Sequence, residues 1–552
     1  MITGSTRSSA RSSSSSRSGL EETGAPEINE RTWLLASGCV LLLAAFVRLY
    51  ALGLNPLHHD EGVNGFFLLK LINSGRYEYD PANYHGPTLY YFALPVTKLC
   101  RALGVGQSAY AIRGVPVLFG IASVLLVLSL RRRLGSIGAL TGAALLALSP
   151  GAVYMSRYFI HESLFVFFTL AIVVSALRYS ESKQPVYLML AAVSAALLFA
   201  TKETAMISAG VLLIALGMSA LYVRVLKGAK GETGGDKRAS RKKRKEARAA
   251  QSDVWRDETA PAQSPLSLAT WALVALMLFL VVYVLFYSSF LTYRQGVADS
   301  LKTFEVWART GRKEHVHEWY TYLLWLWQAD LAVLCLGALG VALAFRRGLN
   351  RFAVFAALWA VGIIAAYSLI PYKTPWLVLN FIAPLAITGG YGVEVLYRRV
   401  GGDRALRLFV VGLAAAALLF SAYQMIWLNF LHYDDDRYVY PYAHTVREFL
   451  PLVERIERFA ASAGTGRQTP ISITSQDYWP LPWYLQDYTH VGYYAGRVAV
   501  LNEPLVLGSE SQQEELEAVL GERYRRIDSY PLRPGVTLVL YGRADLLERQ
   551  RP

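Results

Sequence analysis

Three cysteines in 552 residues are too few for a disulfide framework. Cys39 and Cys335 lie inside apolar runs and Cys100 near the edge of one, so no zinc-finger spacing is available either. Charge is scarce too. Asp, Glu, Lys and Arg make up 17% of the chain, where a soluble domain carries about a quarter. With 54% hydrophobic residues, that deficit excludes a soluble protein of this length. No Gly-rich phosphate loop stands at a strand–helix junction, which removes the common kind of nucleotide site. No repeat period is present, so a repeat array is excluded as well. The stretch "LASGC" at Leu35–Cys39 has the outline of a lipoprotein cleavage site, but its apolar run continues past Cys39, as a membrane span does.

What the chain does have is apolar runs of about 20 residues, each long enough for a hydrocarbon core of about 30 Å. They fall near 33–52, 111–130, 137–155, 159–178, 186–200, 204–224, 268–290, 320–345, 352–370, 376–397 and 405–430. The expected fold is a polytopic α-helical membrane protein of about eleven transmembrane helices. The net charge of +14 sits in "RRRLG" from Arg131, "RYSESKQ", the segment with "RKKRK" at Arg241–Lys245, "RRGLNR" and "YRRVGGDR". With the N-terminus inside, all of these fall on one side, as the positive-inside rule requires. The basic balance therefore reports topology and not a nucleic-acid partner. A multi-pass protein of the cytoplasmic membrane is expected, with a cytoplasmic N-terminus.

Three regions follow. Residues 1–30 are Ser-rich and expected to be a disordered cytoplasmic tail. Residues 31–430 form the membrane domain, with a first outer loop at 53–110 and a basic cytoplasmic loop at 227–265 that reads as a solvated linker near anionic headgroups, a regulatory or nucleic-acid role being the alternative. Residues 431–552 are expected to be a small extracytoplasmic α/β domain with a partly parallel sheet. There "TVREFLPLVERIERFAASA" and "SQQEELEAVLGE" read as helices, and "PISITS", "RVAVLN", "RRIDSY" and "VTLVLYG" as strands.

The chemistry gathers on the outer side. "NPLHHDEGVNGFFLLKLINSGRYEYDPANYHGPTLYYFALP", Asn55–Pro95, places His58, His59, Asp60 and Glu61 directly after a span, with Tyr84 and His85 further on. Carboxylates at a bilayer edge are costly and usually functional, although a wet connecting loop also carries them. "SRYFIHESLFVFF" adds Arg157, His161 and Glu162 at the mouth of the next apolar helix. Lys202 in "FATKETAM" and Lys373 in "PYKTPW" break the positive-inside pattern; each suits a phosphate, with snorkelling to headgroups the alternative. His315 and His317 precede an aromatic run that reads as an interface belt. They are polar filler or, together with Asp60 or Glu162, ligands for a divalent cation, the one cofactor the sequence suggests.

The acidic pair in the first outer loop, the second acidic site between the third and fourth spans, and the outer domain after many spans resemble the GT-C superfamily of membrane glycosyltransferases. These take sugars from polyprenyl phosphates and include the protein O-mannosyltransferases and the lipid A aminoarabinose transferase. The likeness runs to the flippase-activity-associated subfamily of archaeal N-glycosylation and its bacterial relatives, and is carried by "HHDEGVNGFFLLKLINSGRYEYDPANYHGPTLYY", "PYKTPWLVLN" and "DYWPLPWYLQDY". Two positions depart from the pattern: His161-Glu162 stands where relatives often have Asp or Asn-Asp, and Glu318 precedes Trp319 where a Pro-Trp pair is common. The resemblance implies a polyprenyl-phosphate-linked sugar donor, a lipid, glycan or protein acceptor, and transfer outside the cytoplasm with inversion. Asp60 would be the general base, with Glu61 and Glu162 assisting. His59, Tyr84, His85, Arg157, Lys202, Tyr372 and Lys373 would face the substrate and its phosphate. Two other classes compete: a polyprenyl-lipid or glycan flippase, which would carry its polar groups at the midplane of broken, repeat-related helices, and a non-catalytic partner in a glycosylation pathway.

Overall fold

A computed structural model of the chain describes residues 28–83, 85–104, 108–232, 265–309, 315–347, 350–498 and 502–548. Most of the expected tail at 1–30, the middle of the basic loop at 227–265, and Tyr84 lie outside the described residues.

The first part of the membrane region runs through α1 (Glu30–Leu49), α2 (His59–Ser74), α3 (Thr88–Ala102), α4 (Ala109–Leu128), α5 (Arg131–Leu134), α6 (Ser136–Leu148), α7 (Pro150–Ser156), α8 (Glu162–Ser182), α9 (Pro185–Phe199) and α10 (Ala205–Glu232). The helices Pro265–Tyr287, Gln295–Arg309, Thr321–Ala329, Leu331–Arg347, Arg351–Leu369, Leu379–Arg399 and Arg404–Ile426 follow. Among the described residues, eight helices are long and apolar enough to cross a membrane, and two bent pairs qualify if each is one span. The remaining expected segment, 186–200, is the shorter apolar helix α9.

Both bends have a local cause. The 58° break between α6 and α7 falls at Ser149-Pro150, where proline opens a new helix and the Ser149 hydroxyl caps Ala152 N–H at 3.1 Å. The 116° break at Asp330 separates Thr321–Ala329 from Leu331–Arg347. The two breaks meet. The Asp330 carboxylate accepts from Ser149 Oγ at 2.5 Å, from Gly151 N–H at 3.3 Å and from the Tyr440 hydroxyl. One buried side chain thus satisfies groups that interrupted helices would leave bare in an apolar medium.

The span Pro375–Arg399 is 94% buried and forms the axis of the bundle, whereas Ser267–Tyr287 is 6% buried and turns its apolar surface outward. Glycine permits the central crossings: a Cβ on Gly340 would run into the Thr388 carbonyl, and one on Gly390 into the Gly138 carbonyl.

The C-terminal region carries one five-stranded sheet, with β1 (Ile471–Ile473), β2 (Val491–Tyr493), β3 (Leu505–Ser509), β4 (Tyr524–Arg533) and β5 (Val536–Arg543) in the order β2-β1-β3-β5-β4. β1 is parallel to β2 and β3, while β5 is antiparallel to β3 and β4, which bears out the partly parallel sheet. Phe449, Leu452, Ile456 and Phe459, from the 3₁₀ turn and the helix Leu450–Ser462, pack on Ile471, Ile473, Leu505 and Leu507. One expectation is corrected here: "RVAVLN" does not begin a strand. The chain leaves the sheet just before it, in a turn with Arg497 N–H on the Tyr494 carbonyl and Gly496 at φ +93°, and 499–501 lie outside the described residues.

Candidate active site

The turn that starts α2 separates its two acids by geometry. His58 is the N-cap: its Nδ1 accepts the Asp60 N–H at 3.0 Å, while Glu61 at N3 accepts the His58 N–H at 3.1 Å, a reciprocal capping box. Successive helical residues point about 100° apart, so only one of Asp60 and Glu61 can face inward. Glu61 does. It is fully buried and takes Arg113 in a two-pronged pair, Nε at 2.7 Å and Nη2 at 2.6 Å, plus the Phe159 N–H at 2.9 Å. Burial alone would raise its carboxyl, but Arg113 and these donors hold it below the usual range. Both its oxygens are spent fastening α2 to α4 and to the segment before α8, and Arg113 continues to the carbonyls of Leu52, Asn55 and Pro56.

Asp60 keeps its carboxylate free of hydrogen-bond donors among the described residues, with its side chain 37% exposed. Burial pushes its carboxyl up; His59, His85 and Lys202 pull it down, and Glu162 adds to the rise. These residues are the company the sequence proposed.

Glu162, at the start of α8, accepts the Lys202 ammonium at 2.6 Å, and both are buried. Burial alone would lower the lysine, but Glu162 and Glu203 hold it above its ordinary value, so it stays charged. Next to this pair, His85 Nδ1 meets Glu203 at 3.3 Å, and its ring lies 4.9 Å from that of His161. The loop that carries His85 is docked on the turn before α10: Gly86 N–H donates to the Thr201 carbonyl, Thr88 N–H to the Ala200 carbonyl, and Thr88 Oγ1 to Thr201 Oγ1 at 2.9 Å. A Cβ on Gly86 would overlap the Ala200 carbonyl, so this approach needs glycine. Burial, with Asp60, Glu203 and Glu162 nearby and against Lys202, pushes the Tyr372 phenol up to about 12. It remains a donor facing the same cluster.

Two expected phosphate ligands donate to backbone carbonyls. Arg157 spends its guanidinium on the carbonyls of Val47, Arg48, Tyr50 and Ala51, capping the C-terminus of α1, and lies over the Phe430 ring. Lys373 donates to the carbonyls of Ser368 and Ile370 at 3.2 and 2.6 Å, closing the end of the helix Arg351–Leu369. His315 Nδ1 pairs with the Tyr442 hydroxyl at 2.8 Å, and the His317 ring lies 5.6 Å from Trp325. Among the described residues no three His, Cys, Asp or Glu side chains converge to hold a metal ion, and the Lys202 ammonium occupies Glu162. The candidate set Glu162, His315 and His317 is thus not brought together.

The C-terminal region closes over α2. Gly62 has Pro480 against it and Gly65 has Trp483, the Tyr484 hydroxyl accepts Leu57 N–H at 2.9 Å, and Trp479 lies 6.2 Å from the His59 ring. "DYWPLPWYLQDY" is thus the cover of the Asp60 turn. An apolar groove of about 400 Å³, lined by Leu71, Tyr91, Phe92, Phe286 and Phe290, opens at the other end of α2, about 16 Å from Asp60 along the helix.

Arg113, Glu203 and Tyr442 were not singled out in the sequence. Arg113 left a signal, a lone arginine within an apolar run; Glu203 and Tyr442 left none that sets them apart from ordinary loop residues.

Residues 84–229 match the family model described as dolichyl-phosphate-mannose-protein mannosyltransferase. The fold is similar to ArnT of Cupriavidus metallidurans in the apo state, with TM-score 0.57 and 14% identity over 94% of this chain and 99% of that one. It is similar to the same protein bound to undecaprenyl phosphate, with TM-score 0.54, 14% identity and the same coverage. It is also similar to the archaeal oligosaccharyltransferase AglB of Archaeoglobus fulgidus, in complex with an inhibitory peptide and a dolichol-phosphate, with TM-score 0.52 and 14% identity over 87% of this chain and 70% of that one. No curated protein matches significantly. The chain has the fold of the GT-C membrane glycosyltransferases.

Proposed function

We propose that the chain is an integral-membrane glycosyltransferase that moves a sugar from a polyprenyl-phosphate donor to an acceptor hydroxyl on the extracytoplasmic face. The observation that carries this reading is the contrast at the start of α2. Glu61 is consumed by Arg113, while the Asp60 carboxylate next to it accepts no hydrogen bond among the described residues, with His58 Nδ1 3.8 Å away and other charged and polar groups around it.

Asp60 takes the proton of the acceptor hydroxyl as that oxygen attacks the anomeric carbon, and the raised affinity of its carboxyl for protons suits a base. The bond to the phosphate breaks on the opposite side, so the configuration inverts. The leaving polyprenyl phosphate needs no proton, only donors, which the N–H groups of Lys202 beyond its bond to Glu162 and the Tyr372 hydroxyl supply. Glu162 fixes the lysine and Glu203 fixes His85 beside it. Two structural neighbours were solved with polyprenyl phosphates, undecaprenyl phosphate in ArnT and dolichol-phosphate in AglB, which supports this class of donor.

The test is Asp60→Asn in purified full-length protein given a radiolabelled polyprenyl-phosphate sugar and acceptor-bearing membranes. Transfer is expected to fall by about 10³-fold or more, with thermal unfolding and polyprenyl phosphate binding unchanged. Wild-type turnover in this variant refutes the assigned base.

A further inference from the structure

Tyr440 to His444 lies between the last membrane helix and the extracytoplasmic α/β region and crosses the outer face as a strap. The Tyr440 hydroxyl donates to Asp330, at the junction of the two broken helices. Two residues on, the Tyr442 carbonyl meets His58 Nε2 at 3.2 Å, and the Tyr442 hydroxyl meets His315 Nδ1 at 2.8 Å. A further two residues on, the buried His444 ring lies 5.3 Å from that of His58. The His315 side of the strap leads to the other wall of the site: the His315 carbonyl accepts Lys373 N–H at 2.9 Å, and Val316 pairs with Tyr372.

Helix N-caps are ordinarily Ser, Thr, Asp or Asn, whose single short side chain serves one local N–H. His58 serves two partners. Nδ1 accepts the Asp60 N–H, which leaves the ring proton on Nε2 to donate to Tyr442. His58 is 4% exposed, so little water reaches its ring.

Resting on the reading of Asp60 as the base, we propose that His58 is a positioning residue whose two ring nitrogens join the Asp60 turn to the strap at Tyr442, so that the seating of the extracytoplasmic region sets the aim of the Asp60 carboxylate. A base displaced by about 1 Å loses on the order of 100-fold in rate.

Two substitutions divide the ring. His58→Asn puts an amide oxygen where Nδ1 stands and keeps the cap, but does not reach Tyr442. His58→Gln places its amide near Nε2 and keeps the tie, but gives up the cap. Both are expected to lower kcat by about 10- to 100-fold, with donor KM within about twofold of wild type. In His58→Asn the thermal midpoint should also hold. Wild-type kcat in His58→Asn, or a change confined to KM, overturns the proposal. Hydrogen exchange reads the joint without turnover: in full-length His58→Asn, peptides covering 440–446 should exchange faster while those covering 60–66 keep their protection. Unchanged exchange at 440–446 also overturns it. If the wild-type protein transferred no sugar, the assignment of Asp60 would fall, yet the exchange result would still decide whether His58 ties the strap.

Discussion

At the residue scale, the proposed function rests on the different surroundings of two adjacent acids, Asp60 and Glu61. The Glu61–Arg113 pair is fully buried and carries a second duty in fixing Leu52–Pro56, so its loss leaves a bare charge. Arg113→Met is expected to destabilise the protein by about 3–5 kcal/mol in thermal unfolding, and Glu61→Leu in the same chain should recover part of the loss because no charge then stays buried. An Arg113→Met protein as stable as wild type would deny the pair its role. The buried histidines give a pH dependence of definite sign. Burial lowers His58 to about 4 from the ordinary 6.5, and His444, with the charge of His58 adding, to about 4 as well. Between those values the unfolded chain takes up protons that the folded one refuses. Stability is therefore full above pH 6.5 and declines as pH falls toward 4, by on the order of 3 kcal/mol for each ring. Melting curves between pH 7.5 and 4.5 should show this decline, and it should be shallower in His58→Asn.

At the element scale, the bundle depends on places where helices stop being regular or come unusually close. Ser149-Pro150 and Asp330 interrupt two spans, and the interruptions are satisfied by one another and by Tyr440. Where the helix Leu331–Arg347 crosses Leu379–Arg399, Gly340 has no room for a side chain, while Gly412 in Arg404–Ile426 has nothing within 4 Å. Gly340→Ala is expected to cost about 1–3 kcal/mol through overpacking. Gly412→Ala should be neutral or stabilise by about 0.5–1 kcal/mol, since alanine restricts the unfolded chain. Thermal midpoints of the two variants moving in the same direction would contradict the crossing described here.

For the whole molecule, the charge bias of the sequence predicts that the basic loops are cytoplasmic and the candidate site lies outside. In a chain whose Cys39, Cys100 and Cys335 are replaced by serine, Thr489→Cys should react with a membrane-impermeant maleimide on intact cells and Arg132→Cys only after lysis; the reverse pattern would invert the topology. Hydropathy, charge bias and the His58–Glu61 cluster are local properties of the chain, so the membrane class and the segments that become helices were legible in the sequence, and Asp60 stood out in it as a candidate. The sequence also carried the partly parallel sheet, through runs of β-branched residues, although the turn before Arg497 moved one strand out of place. Tertiary structure alone decided how the polar groups divide. Nothing in the local sequence shows that Arg157 and Lys373 bond to helix-end carbonyls, or that Arg113, 52 residues away, holds Glu61. The physical reason is that pairing and desolvation, which fix whether a charge is free to do chemistry, depend on neighbours distant in the chain and leave no trace in local composition.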